Sequence, residues 1–580
     1  MENLKYSEIL QQNKILKERV KGDPFKVSIL SNVTINSFKE IAEYSLRLNG
    51  VNPIVEIGNF DNIVQDSANC KDASMVIIFY DMLNIADGIS VFFEDMDDAS
   101  LHQVEEKICT EIDLIFRNLG NIPSVVFNKF SSHLFPSGFL QSTKLDQFVV
   151  KLNAYLETKA TRNVSLVDVS KIVVQIGTKH AFDARFYNSS KAPYTLSFFK
   201  KYISAIEPIT LQLTGKLKKA IIFDCDNTLW KGVIGEDGMA KIDMSPTSAY
   251  GKPFFEVQRI AKFLSKKGVI VGICSKNNIA DVEEVMANHP DMLLKNEDIV
   301  IKKINWTDKA TNLREIAKEL NIGIDSLIFI DDSSFEINLI KEQLPEVVTL
   351  QVPTANYEYP GIVLEYVYKY FILNSSEEDR KRTEIYKQQF QRQDEIAKHQ
   401  SIDEYLASLE IQLDIIKDDS SQIPRISQLT QKTNQFNLTT IRYTETQVEK
   451  FMKDENNHVF SVSVRDKFGD SGLTAVCIVT GSETETATID TLLMSCRVIG
   501  RNIEVFFMDY VLHFLKERGY KKVNAKYIST AKNQQVESFY EKMGFTVGET
   551  DSAIKFYSLE LANYKKMVID YIKTGIVQYN

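Results

Sequence analysis

A short apolar run at 220–223 leads straight into Asp224-Cys225-Asp226-Asn227-Thr228. Two carboxylates two residues apart, followed by a hydroxyl, therefore sit at the end of a strand. A strand that merely needs a polar turn has no use for Asp-x-Asp-x-Thr. Oxygen ligands in this spacing suit phosphoryl chemistry on a magnesium ion. The thiol of Cys225, between the two carboxylates, opens covalent acyl chemistry as a second possibility.

The surrounding sequence repeats the theme. Apolar runs at 220–223, 269–274, 327–330 and 347–350 read as strands. Stretches at 254–266, 279–288, 311–320 and 335–342 read as the helices between them, the pattern of a parallel sheet covered by helices. Ser275 follows one strand, Asp331 and Asp332 follow another, and Lys309 stands near a helix start. Ligands of such sheets bind where the carboxyl ends of the strands open. Asp224 is then the candidate nucleophile, forming an aspartyl phosphate. Asp226 is the candidate acid–base group. Asp224, Asp226 and Asp331, with Asp332 as an addition, are candidate Mg²⁺ ligands. Thr228, Ser275 and Lys309 are candidate phosphate-binding groups. Asp, Asn and Ser also gather in ordinary turns after strands, but four such groups at successive strand ends exceed that tendency. Residues 231–244 read as a short flap over the cleft.

A chain of 580 residues is too long for one core and suggests roughly 3 to 5 domains. Before the central unit, strands are expected at 27–30, 54–57, 75–79, 124–127 and 164–167, with a helix at 37–48. After it, a polar segment at 374–382 has Ser375 and Glu378 in capping-box spacing and is expected to open a linker helix. Further on, strands are expected at 459–464, 474–479, 486–494 and 522–525, and a long helix at 503–518. The expected division is 1–215, 216–373, a linker at 374–422, and 423–580. A net charge of −10 argues against nucleic acid as a partner. Six scattered cysteines without a CxxC pair signal neither a zinc site nor a disulfide framework, and fit a cytoplasmic setting. No apolar run nears the ~20 residues that span a bilayer, so no membrane association is expected.

The order of the four central elements resembles that of the haloacid dehalogenase (HAD) superfamily. The runs Leu229-Trp230-Lys231-Gly232-Val233-Ile234-Gly235, Cys274-Ser275-Lys276-Asn277-Asn278 and Trp306-Thr307-Asp308-Lys309 resemble its FkbH-like branch. So do Gln431-Lys432-Thr433-Asn434-Gln435-Phe436-Asn437 and Val464-Arg465-Asp466-Lys467-Phe468-Gly469-Asp470. That resemblance implies an Mg²⁺-dependent enzyme acting on an activated phosphoglycerate. It would remove phosphate and deliver a glyceryl unit to an acyl carrier protein thiol, with Cys225 as a candidate acyl carrier on the enzyme. A plain phosphatase on a small phosphorylated metabolite or sugar, and a non-catalytic assembly protein, are the alternatives.

The outer parts carry weaker resemblances. Asn533 and Phe539-Tyr540-Glu541-Lys542-Met543-Gly544-Phe545 resemble the closing signature of GNAT acetyltransferases. Arg497, Gly500, Arg501 and Asn533 then become candidate contacts for coenzyme A or a phosphopantetheine arm. Arg497-Val498-Ile499-Gly500-Arg501-Asn502 keeps that family's first glycine and loses its last small residue. The N-terminal part resembles an SGNH-hydrolase-like domain of flavodoxin-like type. Leu30-Ser31-Asn32-Val33 lacks the Gly-Asp of its nucleophile block, and Phe186 stands where the histidine after Asp183 belongs. The expectation there is a degenerate fold. The whole is expected to be a multidomain α/β protein: a parallel sheet, a HAD-like Rossmannoid sheet and a GNAT-like α/β domain.

Overall fold

Continuous runs of buried Val, Ile and Phe build the central strands of the first two sheets, as strands covered on both faces require. The computed structural model describes all residues except 2–3, 86–90, 136–140, 372–391, 393–398, 400, 482–484, 531, 552 and 580. The chain forms two compact units, Met1–Thr214 with Tyr443–Gln447, and Gly215–Arg442 with Val448–Asn580.

The first unit holds strands β1 (Pro24–Ser31), β2 (Asn52–Ile57), β3 (Met75–Phe79), β4 (Ser124–Asn128) and β5 (Val164–Val167). They are parallel, in the order β2-β1-β3-β4-β5. Every residue of β3 and β4 is buried. On one face Phe38 meets Phe79 and Tyr202 edge-on, at ring separations of 5.2 and 5.5 Å. The order reverses between β1 and β3, the place where such sheets open a crevice. At the end of β1, Ser31 Oγ donates to Val33 O at 2.7 Å, and elsewhere in the unit Asp183 receives both Nε and Nη2 of Arg185. Both side chains are spent on local contacts.

The second unit opens with β6 (Ala220–Phe223), β7 (Ile270–Ser275), β8 (Ile301–Ile304), β9 (Leu327–Asp331) and β10 (Val348–Gln351). These too are parallel, in the order β10-β9-β6-β7-β8. The strand β8 was not expected, because Lys302 and Lys303 interrupt its apolar pattern. The register puts Phe223 of β6 between Ile273 of β7 and Ile330 of β9. Asp224, Ser275 and Asp331 therefore emerge side by side. Gly272 permits this spacing: a Cβ there would lie 2.7 Å from Ile222 Cδ1 and 2.8 Å from Ile301 Cγ2.

A mixed sheet completes the unit. Its strands are β11 (Gln412–Lys417), β12 (Phe436–Asn437), β13 (Asn457–Asp466), β14 (Gly469–Gly481), β15 (Thr486–Met494), β16 (Lys522–Ile528), β17 (Thr546–Asp551), β18 (Ile554–Glu560) and β19 (Lys573–Tyr579). They run β17-β18-β16-β15-β14-β13-β11-β19, with β12 paired to β15. Helix Ile503–Glu517 covers the sheet with Phe507, Val511, Leu512 and Leu515 buried. The segment expected as a linker behaves differently. Its residues 412–417 form β11, antiparallel to β13, with Leu413 and Ile415 in the core. The expected linker helix falls almost wholly outside the described residues. Among the described residues, no helix is long and apolar enough to cross a membrane.

Candidate active site

Lys309, the first residue of helix Lys309–Glu319, is the positive centre of the site. The helix starts there because Asp308 caps it, accepting from Thr311 N at 2.8 Å. Its Nζ lies 2.5 Å from Asp331 Oδ2 and 3.1 Å from Asp224 Oδ1. All three side chains are buried. The 3.1 Å contact is outside hydrogen-bonding geometry, so Asp224 Oδ1 is a buried oxygen without a hydrogen bond. Asp331 Oδ1 is held by Ser333 N at 2.9 Å.

Asp224, Asp331 and Asp332 each offer an oxygen, and these oxygens lie within 4.8 Å of one another. Burial raises the Asp224 pKa to about 6, with Lys309 opposing and Asp331 adding to the rise. Burial likewise raises Asp331, against the pull of Lys309. Asp332 is raised by burial and by Asp224. Burial disfavours charge on Lys309, yet the two carboxylates hold its pKa above its ordinary value. One ammonium thus faces three carboxylates. The surplus of negative charge and the unbonded oxygen fit a hard divalent cation with oxygen ligands.

The structure revises the expected ligand set. The Asp226 carboxylate is not part of this cluster. Its Oδ1 accepts from Trp230 Nε1 at 2.9 Å and Ile234 N at 3.0 Å, and its Oδ2 from Asn277 Nδ2 at 2.9 Å. Asn227, at φ +49°, turns the chain so that Asp226 points toward the flap. Asn277, to which the sequence reading gave no role, also donates to Ser275 Oγ at 3.1 Å. Its place two residues past Ser275 was the available signal.

Ser275 is buried beside Asp224, whereas Thr228 is fully buried with its hydroxyl unpartnered. Thr228 presents no group to solvent. Cys225 is corrected outright. It is fully buried in an apolar cluster with Phe223, Leu229 and Trp230. Burial, then the charge of Asp224, pushes its thiol far above the ordinary range. A protonated thiol sealed in a core is not a nucleophile. In the segment expected as a flap, Ile234–Asp237 is helical and Lys231 pairs with Asp243.

The expected cofactor contacts of the mixed sheet are spent internally. Arg501 donates to Asp466 Oδ2 at 2.9 Å and to Arg497 O at 2.7 Å. Arg392 grips the same Asp466 at 2.8 Å through two nitrogens. Arg497 is buried, its Nε 3.2 Å from Ser495 Oγ. Asn533 is fully buried and donates to Asn437 O and Ile528 O, both at 2.9 Å. Gly500, at φ +83°, borders open space.

No protein-family model matches the chain, and no curated protein matches it. Solved structures do. The N-terminal part of BF1531 from Bacteroides fragilis, which contains a phosphatase domain and was solved with Mg, is 26% identical at TM-score 0.52. The match covers 63% of this chain and 98% of that one, more than the central sheet alone spans. The ribosomal-protein-S18-alanine N-acetyltransferase of Escherichia coli matches at 13% identity and TM-score 0.22, over 27% of this chain and 97% of that one. The PaiA N-acetyltransferase of Thermoplasma acidophilum, solved with coenzyme A, matches at 15% and 0.20, over 26% and 98%. The chain is a multidomain α/β protein, and over 63% of its length it is similar to the N-terminal part of BF1531, a protein that contains a phosphatase domain.

Proposed function

We propose that the chain is an Mg²⁺-dependent enzyme of HAD type that removes a phosphoryl group from a small phosphorylated metabolite. The observation that carries this reading is the cluster of buried Asp224 and Asp331 with half-buried Asp332 beside Lys309, with one Asp224 oxygen unbonded. The similarity to a phosphatase-domain protein solved with Mg supports it. Asp224, Asp331 and Asp332 would hold the ion, which supplies charge neutralisation for the transferring phosphoryl group. Asp224 attacks phosphorus and carries the phosphoryl group as an aspartyl phosphate. Lys309 offsets the charge on the phosphoryl oxygens, and Ser275 offers them a hydroxyl. Asp226 protonates the leaving oxygen and then draws a proton from the incoming water. Its hydrogen bond from Ile234 N ties that group to the flap.

The finer reading rests on the FkbH-like motifs. The substrate is an activated phosphoglycerate, and the glyceryl unit passes to the thiol of an acyl carrier protein in the cytoplasm. With Cys225 in the core, the carrier thiol gives up its proton and attacks the acyl carbon directly, the anhydride phosphate leaves as inorganic phosphate, and Asp224 takes the remaining ester phosphoryl group. A plain phosphatase is the second reading, favoured by that same absence of an accessible thiol in the site. The test is phosphate release from 1,3-bisphosphoglycerate with Mg²⁺, with and without a holo carrier protein. Carrier-dependent release with mass added to the carrier thiol is expected. Asp224→Asn lowers release by about 10³-fold or more, as loss of a nucleophile does. Carrier-independent release leaves the phosphatase. Release that persists in Asp224→Asn overturns both.

A further inference from the structure

Strands β15 and β16 are parallel, but they pair only from Thr486 opposite Lys522 to Ile489 opposite Ala525. Past Ile489 they part, while β14 stays on the other side of β15 as far as Met494. Strands that part leave N–H and C=O groups facing a gap, and an extended ligand arm can add itself there as a strand. In this chain the gap is taken by the protein's own backbone. Phe436 faces Met494 and Asn437 faces Leu493, antiparallel, on the side away from β14. Leu438 N donates to Leu492 O at 3.1 Å on one side, and Ile528 N donates to Leu438 O at 2.8 Å on the other. Three residues therefore bridge both strands.

The bridge is locked from several directions. Asn533 Nδ2 ties Asn437 O to Ile528 O, and its Oδ1 accepts from Thr530 N at 2.8 Å and Tyr527 OH at 3.1 Å. Asn437 Oδ1 accepts from Thr440 N at 2.8 Å, and its Nδ2 donates to Thr433 O at 3.2 Å. Phe436 meets Phe539 edge-on at 5.5 Å. The loop before helix Ile503–Glu517 is engaged as well. Cys496 O accepts from Asn321 Nδ2 at 2.7 Å, Arg501 is paired with Asp466, and Asn502 Nδ2 donates to Tyr571 OH at 2.6 Å. Lys532, beside Asn533, pairs with Asp325. Asn321 and Asp325 lie just ahead of β9, the strand that ends in Asp331.

We infer that the C-terminal module is closed to a coenzyme A or phosphopantetheine arm, with β12 and the backbone of Leu438 filling the gap. Its loop serves instead as a brace for the segment leading into β9. This inference is independent of the phosphoryl reading of the central site.

Equilibrium dialysis of the full chain with coenzyme A and with acetyl-coenzyme A, beside hydrogen exchange, tests it. The expected result is no saturable binding of either, with the Leu438 and Ile528 amides exchanging as slowly as those of β14. Asn533→Ala is expected to speed exchange at Leu438 by about tenfold or more, since buried bonds are lost. Saturable binding of either compound to the wild type overturns the closure. So does fast exchange at Leu438 and Ile528 in the wild type, or exchange at Leu438 left unchanged by Asn533→Ala.

Discussion

Asp224 lies one residue beyond a fully buried strand, and its acidity follows from that place. Burial raises its pKa from an ordinary 3.8 to about 6. A carboxyl raised in this way adds stability that is full below about 3.8 and lost as pH rises through about 6. Mg²⁺ binds the ionised form, so its stabilising effect grows over the same interval. The expected outcome is a small Mg²⁺-induced rise in Tm at pH 4 and a larger one at pH 7, read by thermal unfolding of metal-free protein with and without the ion. An equal rise at both pH values would place the ion elsewhere. The location of Asp224 and Asp331 at strand ends was readable from the sequence, because an apolar run that stops at an acid marks its own boundary. The direction of Asp226 was not readable. It depends on the left-handed Asn227 and on an indole N–H four residues on, contacts that no spacing rule encodes. The burial of Cys225 was half readable, since alternation along a strand already turned it from its acidic neighbours.

The flap shows the same division at the level of elements. It hangs on Gly232, at φ +101°, where a Cβ would meet Asp237 Oδ2 at 3.0 Å. That oxygen accepts from Val233 N at 2.9 Å and starts the helical turn Ile234–Asp237. Gly232→Ala costs about 1–3 kcal/mol of backbone strain locally. It is expected to speed hydrogen exchange at Ile234, whose N–H donates to Asp226, and to lower phosphate release. Unchanged exchange at Ile234 would show that the flap does not pivot there. Apart from β8, the strands of the two parallel sheets were legible within a residue or three, because burial on both faces writes the central ones as unbroken apolar runs. The strands β8 and β11 were not. Lys302 and Lys303 break the first, and the second alternates Leu413 and Ile415 with polar residues beside a charged segment.

At the scale of the whole molecule, the residues up to Thr214 carry a complete five-stranded sheet with its own aromatic core. A fragment of residues 1–214 is expected to unfold cooperatively by itself, followed by circular dichroism in urea. A featureless, non-cooperative transition would show that this core needs the rest of the chain. Length and charged breaks led to an expected division that sets the central and mixed sheets apart, whereas the structure holds both in one compact unit, with single contacts such as Asn321 to Cys496 that no sequence pattern announces. The strand β8 ends the central sheet, and its two lysines reach back to Glu283, Glu315 and Glu319 at 2.6–2.8 Å. An outermost strand with free backbone groups invites a second molecule to continue the ladder, and charge set along it makes that addition costly. The feature that hides β8 from a hydropathy reading therefore also sets charge along the outermost strand, which raises the cost of a second sheet pairing there.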